Sequence, residues 1–299
     1  MRRGFVPQFR SPAWTNSVKR VFLLGYPIAH SLSPAMHNAA LRALDLNWRY
    51  ELLETPHEDL RAVVTRLRAN DCAGANVTIP HKQAVIEWLD ELSEDARRIG
   101  AVNTIVKRAD RLIGENTDGY GFLQSLRDAQ VDARGAHVAI LGAGGAAHAV
   151  AFAAADAGAA NIALVNRTEA HAVRLADALR QHFPQLAVTV NRNESMKDAT
   201  LIVNATSVGM SPDGHASPMP VAFPRDAAAF DLVYRPAHTR FLRDAEHAGA
   251  RTIGGIGMLA HQGAAAFRLW TGRDAPVDVM TAAAAAALRE TEYEIRNAY

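Results

Sequence analysis

The sequence predicts an α/β protein built on parallel sheets, and three observations carry that prediction. Short β-branched or apolar runs alternate with helix-like segments along almost the whole chain, and such alternation sets parallel strands under helices on both faces. A glycine-rich stretch, residues 142–145, separates a strand-like segment from a helix-like one. The 299 residues are 49% hydrophobic and 21% charged. That is the balance of a folded globular chain, with room for one large domain or two ordinary ones at ~150 residues each.

The elements follow in order. Residues 21–25 read as a strand, and Ser33 with Pro34 starts a helix, a hydroxyl N-cap before a proline at the first helical position. A strand is expected at 49–53, a helix at 57–69 and a strand at 73–77. Pro80 opens the next helix, 101–107 form a strand, and Asp118 caps a helix running to about Ala129. From His137 the rhythm is strict: strand 137–141, helix 146–157, strand 161–165, helix 168–181 and strand 187–190. Further strands are expected at 201–203, 229–233 and 251–253, and helices at 256–270 and 277–296, the last containing six consecutive alanines, strong helix formers.

Charge and cysteine content exclude several classes. With 32 Lys+Arg against 31 Asp+Glu, the net charge of +1 is unlike that of a protein that coats nucleic acid. The charge is unevenly spread. Residues 1–20 hold Arg2, Arg3, Arg10, Lys19 and Arg20 and no acid, leaving 27 basic against 31 acidic residues in the body. This basic leader, with Pro7 and Pro12, reads as a disordered extension; a transit peptide and a nucleic-acid arm are the competing readings. The single cysteine, Cys72, excludes an internal disulfide framework and fits a reducing compartment, and Cys72 itself reads as a small core residue. Between Arg134 and Arg167 the only formal charge is Asp156, a stretch long enough for a membrane span, but it is mostly Gly and Ala and divides into unlike pieces, so it reads as buried structure. With no secretory signal pattern, the expectation is a cytoplasmic protein without membrane or nucleic-acid partners.

Gly142-Ala143-Gly144-Gly145-Ala146-Ala147 fits G-x-G-x-x-A between a strand and a helix. The first glycine makes a tight turn, the second lets a pyrophosphate approach backbone N–H groups at the helix N-terminus, and the small last residue lets helix and strand pack closely. With a second strand ending about 24 residues on, the pattern reads as a dinucleotide-binding, Rossmann-like unit. NAD would call for an acid at the end of that second strand; the chain has Asn166-Arg167-Thr168 instead. A guanidinium makes bidentate, charge-assisted bonds to phosphate, so NADP(H) is expected rather than NAD.

Four polar clusters precede the loop: residues 25–34, containing His30, Ser31 and Ser33; 76–82, containing Thr78, His81 and Lys82; 101–104, containing Asn103; and 116–119, containing Asp118. Each falls after a predicted strand, where open α/β sheets bind ligands. Taken singly, Ser33 and Asp118 are helix caps, Asn103 a strand end and Lys82 a solvated helix residue. Taken together they offer hydroxyls and amides for a polyhydroxylated ligand, with one cation and one carboxylate. His30, His37 and His81 lack the spacing of metal ligands, and no metal is expected.

With these clusters in view, the chain resembles the shikimate dehydrogenases. The matching strings are HSLSPAMHN at 30–38, NVTIPHK at 76–82, AVNT at 101–104, NTDGYG at 116–121, GAGGAA at 142–147, NRT at 166–168, NATSVGM at 204–210 and GMLAHQGAAAF at 257–267. They occur in the family's order and cover residues 21 to about 272. The resemblance implies two α/β domains flanking a cleft, a substrate-binding catalytic domain from residues 21–117 plus 255–299 and an NADP-binding domain from 118–254. It implies reversible reduction of 3-dehydroshikimate to shikimate with NADPH, on the route to chorismate and the aromatic amino acids, by a monomer or homodimer. By the same resemblance Ser31, Ser33 and Tyr234 hold the substrate carboxylate. Thr78, Asn103, Asp118 and Gln262 bind its hydroxyls or ketone, and Lys82 and Asp118 are the catalytic pair. Gly142, Ala143, Gly144, Gly145 and Ala146 meet the cofactor, as do Asn166, Arg167, Thr168, Leu232, Gly255 and Met258, though Met258 and Leu259 read equally as core.

The chain departs from the family pattern at His148, at His171 and at Gly254-Gly255. His171 stands where a second phosphate-binding arginine is common, which bears on cofactor preference. The rival readings are a quinate/shikimate or aminoshikimate dehydrogenase of mixed cofactor use and a non-catalytic ligand sensor. Arg167→Asp is expected to raise the KM for NADP⁺ far more than that for NAD⁺; equal weakening of both would remove Arg167 from the 2′-phosphate site.

Overall fold

The computed structural model describes residues 18–297 apart from 193, 212–213 and 220–221. Most of the leader, residues 1–17, therefore lies outside the described residues, while Lys19 and Arg20 belong to the first strand. The first half contains β1 (Lys19–Gly25), α1 (Ser33–Ala43), β2 (Trp48–Glu54), α2 (Leu60–Arg66), β3 (Cys72–Val77), β4 (Glu91–Leu92), α3 (Glu94–Ile99), β5 (Thr104–Arg108) and β6 (Arg111–Glu115). After α4 (Asp118–Asp128) come β7 (His137–Leu141), α5 (Gly145–Asp156), β8 (Asn161–Val165), α6 (Glu169–His182), β9 (Ala187–Val190) and α7 (Glu194–Lys197). The chain continues through β10 (Leu201–Asn204), β11 (Ala228–Asp231), α8 (Arg240–His247), β12 (Arg251–Ile253), α9 (Ile256–Thr271) and α10 (Val277–Asn297).

Two six-stranded sheets result. The second, β12-β11-β10-β7-β8-β9, is parallel throughout. Its order reverses between β7 and β10, and the glycine stretch leaves β7 at that switch point, where adjacent loops diverge and open a crevice. The first sheet, β2-β1-β3-β5-β6-β4, departs from the all-parallel expectation: β5 runs antiparallel to β3 and to β6. The cause is local. Lys107 and Arg108 pair back onto Leu112 and Arg111 in a tight hairpin, with Ala109 in the left-handed region at φ 52. The reversal has a functional result. The C-terminal ends of β1, β3 and β6 and the N-terminal end of β5 all fall on one edge, so the segments 25–34, 78–82, 101–103 and 116–118 converge there.

Three expected helix details differ. The helix opened by Pro80 shrinks to one 3₁₀ stretch, Ala84–Trp88. The Lys82 carbonyl accepts the Val102 N–H at 2.7 Å and is lost to an α-helical ladder, so the Ile86 N–H turns to the Gln83 carbonyl at 3.3 Å. Ser33 is the first residue of α1 and not its cap; its N–H is taken by Ser31 Oγ at 3.2 Å. Asp118 likewise begins α4 without capping it, because Asn116 Oδ1 takes the Asp118 N–H at 3.0 Å. Both side chains are thereby released from backbone duty. β6, β4, α3, α7 and α8 are additional to the expected elements. Of these, α3 carries ordinary signals, a Ser93 cap on the Ala96 N–H and left-handed Gly100 at its end.

The core follows the layers. The α5 and α6 face of the second sheet is lined with alanines, Ala147, Ala149, Ala151, Ala172 and Ala176 among them, which lets these helices lie close on the strands. The first sheet is covered by α1, α9 and α10 on one face and by α2 and the 84–88 turn on the other. α9 returns from the second sheet to pack on α4 as well as α1. That contact is unusually close. A Cβ on Gly121 would stand 2.8 Å from both Gln262 Cβ and the Met258 carbonyl oxygen. Gly121→Ala is therefore expected to force α4 and α9 apart and cost about 1–3 kcal/mol, seen as a Tm lowered by several degrees in thermal unfolding; an unchanged Tm would contradict this packing.

Candidate active site

At the shared edge of the first sheet, Lys82 Nζ donates to Asp118 Oδ2 at 2.5 Å, with the two side chains only 15% and 5% exposed. Asn103 reaches the other carboxylate oxygen, Nδ2 to Asp118 Oδ1 at 2.8 Å, and also meets Gln262 Oε1 at 3.2 Å. The Asn103 side-chain oxygen is held from behind by the Thr117 N–H at 2.8 Å. One cation, one carboxylate and two amides, drawn from four distant chain segments, thus meet at one point. Removing one member of a buried ion pair leaves its partner uncompensated, typically at a cost of ~3–5 kcal/mol.

The second sheet brings its glycine stretch to the same place. Gly142 adopts φ +112, and a Cβ there would press on the Ala205 carbonyl at 3.0 Å, so a side chain would both strain the turn and collide with the loop after β10. Gly144 opens α5 in an extended conformation with nothing within 4 Å of a would-be Cβ. Gly145 lies against the first sheet: a Cβ on it would stand 2.7 Å from Lys82 Cβ. The helix N-terminus therefore borders open space directly beside Lys82.

The loop after β10 is pinned by Asp231 at the end of β11. Asp231 accepts from Asn204 Nδ2 at 2.9 Å, from the Val233 N–H at 2.9 Å and from Thr239 Oγ1 at 2.5 Å. Burial pushes its carboxyl up to about 6 in spite of these donors. Asn204 in turn holds Thr206 and the Val208 carbonyl.

The family models match this architecture in three parts. A model described as the shikimate dehydrogenase substrate binding domain covers residues 23–105, one described as shikimate / quinate 5-dehydrogenase covers 125–211, and one described as the shikimate 5'-dehydrogenase C-terminal domain covers 255–285. A protein of Symbiobacterium thermophilum named shikimate dehydrogenase (NADP(+)) is 45% identical over 274 residues, 89% of this chain and 93% of that one. The chain belongs to the shikimate dehydrogenase family. The solved structure of the Thermus thermophilus shikimate 5-dehydrogenase in complex with NADP(H) and shikimate is 45% identical and superposes with a TM-score of 0.83, covering 91% of this chain and 100% of that one. The quinate dehydrogenase of Corynebacterium glutamicum in complex with NAD is 32% identical, with a TM-score of 0.81 and coverage of 89% and 98%.

The residues expected from the family pattern fall as follows. Lys82, Asn103, Asp118 and Gln262 meet directly. Ser31 and Ser33 lie on the same edge, and Tyr234, crossing from the second sheet, brings its hydroxyl beside the Ser31 side chain and the Leu32 backbone. Thr78 follows β3, its N–H on the Leu24 carbonyl at 2.8 Å and its methyl against Gly25. Gly255 packs on the Leu232 carbonyl, which would lie 2.6 Å from a Cβ. Met258 is buried in the second sheet's core. Asn166, Arg167 and Thr168 lie beyond β8, away from the Lys82 cluster. There Asn166 Nδ2 bonds the Thr168 carbonyl at 2.8 Å, and the exposed Arg167 makes no hydrogen bond or ion pair among the described residues.

Of the departures, His148 joins the two sheets. Its Nδ1 is 2.9 Å from the Ile99 carbonyl, its Nε2 3.4 Å from Gln83 Nε2, and burial lowers its pKa. His171 is exposed on α6, and nothing in the structure explains Gly254. Sequence reading gave no role to Asn76, Tyr50 or Thr117: Asn76 Nδ2 donates to the Asn103 carbonyl, the Thr117 N–H donates to Asn103 Oδ1, and the Tyr50 hydroxyl donates to Asn76 Oδ1, a contact of which a tyrosine in a strand carries no sign. Cys72 is buried and its thiol is pushed up to about 11, an inert core position. Among the described residues no three His, Cys, Asp or Glu side chains cluster, and no helix is long and apolar enough to cross a membrane.

Proposed function

We propose that Lys82 and Asp118 are the catalytic pair of a reversible, NADPH-dependent reduction of 3-dehydroshikimate to shikimate, the activity the family carries. The observation that supports it best is the Lys82–Asp118–Asn103–Gln262 cluster set directly against the glycine loop. The residues present suit the cofactor. The open space at Gly144 and the free N–H groups at the start of α5 would receive a pyrophosphate, while the unpaired Arg167 guanidinium, with Asn166 and Thr168, would receive a 2′-phosphate. Leu232, Gly255 and Met258 are the residues that would border its nicotinamide end. When bound, NADPH supplies the hydride.

The chain's own residues do the rest. Ser31, Ser33 and Tyr234 bind the substrate carboxylate through hydroxyl groups. Thr78, Asn103 and Gln262 orient the ring hydroxyls. The Lys82 ammonium stabilises negative charge growing on the ketone oxygen and donates the proton that completes the new hydroxyl. In the reverse direction Lys82 Nζ recovers that proton. Asp118 aims Nζ by charge attraction and itself accepts a substrate hydroxyl. In this reading residues 21–117 and 255–299 form the substrate-binding part and 118–254 the NADP-binding part, with α4 and α9 linking them, in a cytoplasmic monomer or homodimer.

The deciding experiment compares kcat/KM for shikimate and quinate, each with NADP⁺ and NAD⁺, on one preparation. Shikimate with NADP⁺ is expected to lead clearly. A preference for quinate with NAD⁺ would overturn the assignment.

A further inference from the structure

We propose that Tyr50, through Asn76, is a positioning residue that sets the orientation of Asn103 at the reacting end. The proposal rests on the reading of the site given above. It comes from following hydrogen-bond polarity, which obligate acceptors fix at each step. The Asn103 carbonyl can only accept, and the Asn76 side chain faces it at 3.1 Å, so that end of Asn76 is Nδ2. Asn76 Nδ2 also meets Thr104 Oγ1 at 3.1 Å. Its Oδ1 is then the atom 2.8 Å from the Tyr50 hydroxyl, and Tyr50 must be the donor.

The same logic runs forward. Thr104 Oγ1 accepts from Asn76, so its own proton goes to Asn103 Oδ1 at 3.0 Å. Asn103 Oδ1, which also takes the Thr117 N–H, is thereby turned inward, and Nδ2 is left for Asp118 and Gln262. The phenol behind Asn76 thereby orders the amide that faces Asp118.

Tyr50 is built for such a role. Its ring stacks on His37 at 4.2 Å with 7° between the planes, and Asn38 grips its backbone on both sides at 2.9 Å. Burial holds His37 down to about 3 and raises the Tyr50 phenol, so both stay neutral across the working pH range.

The test is Tyr50→Phe, which keeps the stacked ring and removes only the hydroxyl. A buried Asn76 Oδ1 without a donor is then free to draw the amide out of line. The expected result is kcat for shikimate oxidation lowered about tenfold and shikimate KM raised several-fold, with the KM for NADP⁺ unchanged and the thermal midpoint lowered by a few degrees. A cycle with Asn103→Ala separates positioning from a general weakening: in that background Tyr50→Phe should cause no further loss of kcat, because it acts through Asn103. Should Tyr50→Phe prove unstable, Asn76→Ser, which cannot span the same partners, takes its place with the same expected pattern. Wild-type kcat and shikimate KM in Tyr50→Phe, or full additivity with Asn103→Ala, would overturn the proposal. A wild-type protein that fails to turn over shikimate would instead overturn the functional reading on which it rests.

Discussion

An ammonium and a carboxylate in contact, almost out of water, at the seam between two sheets is the constraint on which this molecule is organised. Lys82 and Asp118 would each be costly to bury alone, and their mutual attraction offsets desolvation only when the remaining lone pairs and protons are satisfied. The surroundings meet that condition for the carboxylate and fix the backbone on both sides of the pair. Asn103 occupies the second carboxylate oxygen, and the Asn116 side chain takes the Asp118 backbone N–H. The Lys82 carbonyl is tied to Val102. A bare ion pair on the surface would need none of these.

The topology follows from the same requirement. The antiparallel strand β5 turns its first residues toward the edge where β1, β3 and β6 end, so an amide, a lysine and a carboxylate from separate segments arrive together. Helix α9 then carries Gln262 back from beyond the second sheet, and glycines at 121 and 145 permit the close approaches that bring it and the dinucleotide loop into place. Small residues at these positions set the distance between the two halves. His148 and the Arg98–Asp156 pair, at 2.6 Å, fasten them along the length of α5.

The second sheet was legible because its signals are local: apolar strands at regular spacing, G-x-G-x-x-A at the turn, and a basic residue in place of an acid after β8. The first sheet was less so. Nothing in residues 101–115 says that the chain doubles back, since a hairpin around Ala109 lacks the usual glycine or asparagine signal. Ser33 and Asp118 each had an equally good local role as helix caps, and only the folded structure shows Ser31 and Asn116 taking that work over. The family resemblance named the residues proposed to touch substrate. It left out the buried layer behind them, where Tyr50 and Asn76 look like ordinary strand residues in one dimension.

The central claim is that Lys82 acts on the transition state and not on binding. Steady-state kinetics of Lys82→Ala with shikimate and NADP⁺ test it most directly. A kcat lowered by about 10²–10⁴-fold with a nearly unchanged shikimate KM is the predicted result. A kcat close to that of the wild type, or a loss confined to KM, would contradict it.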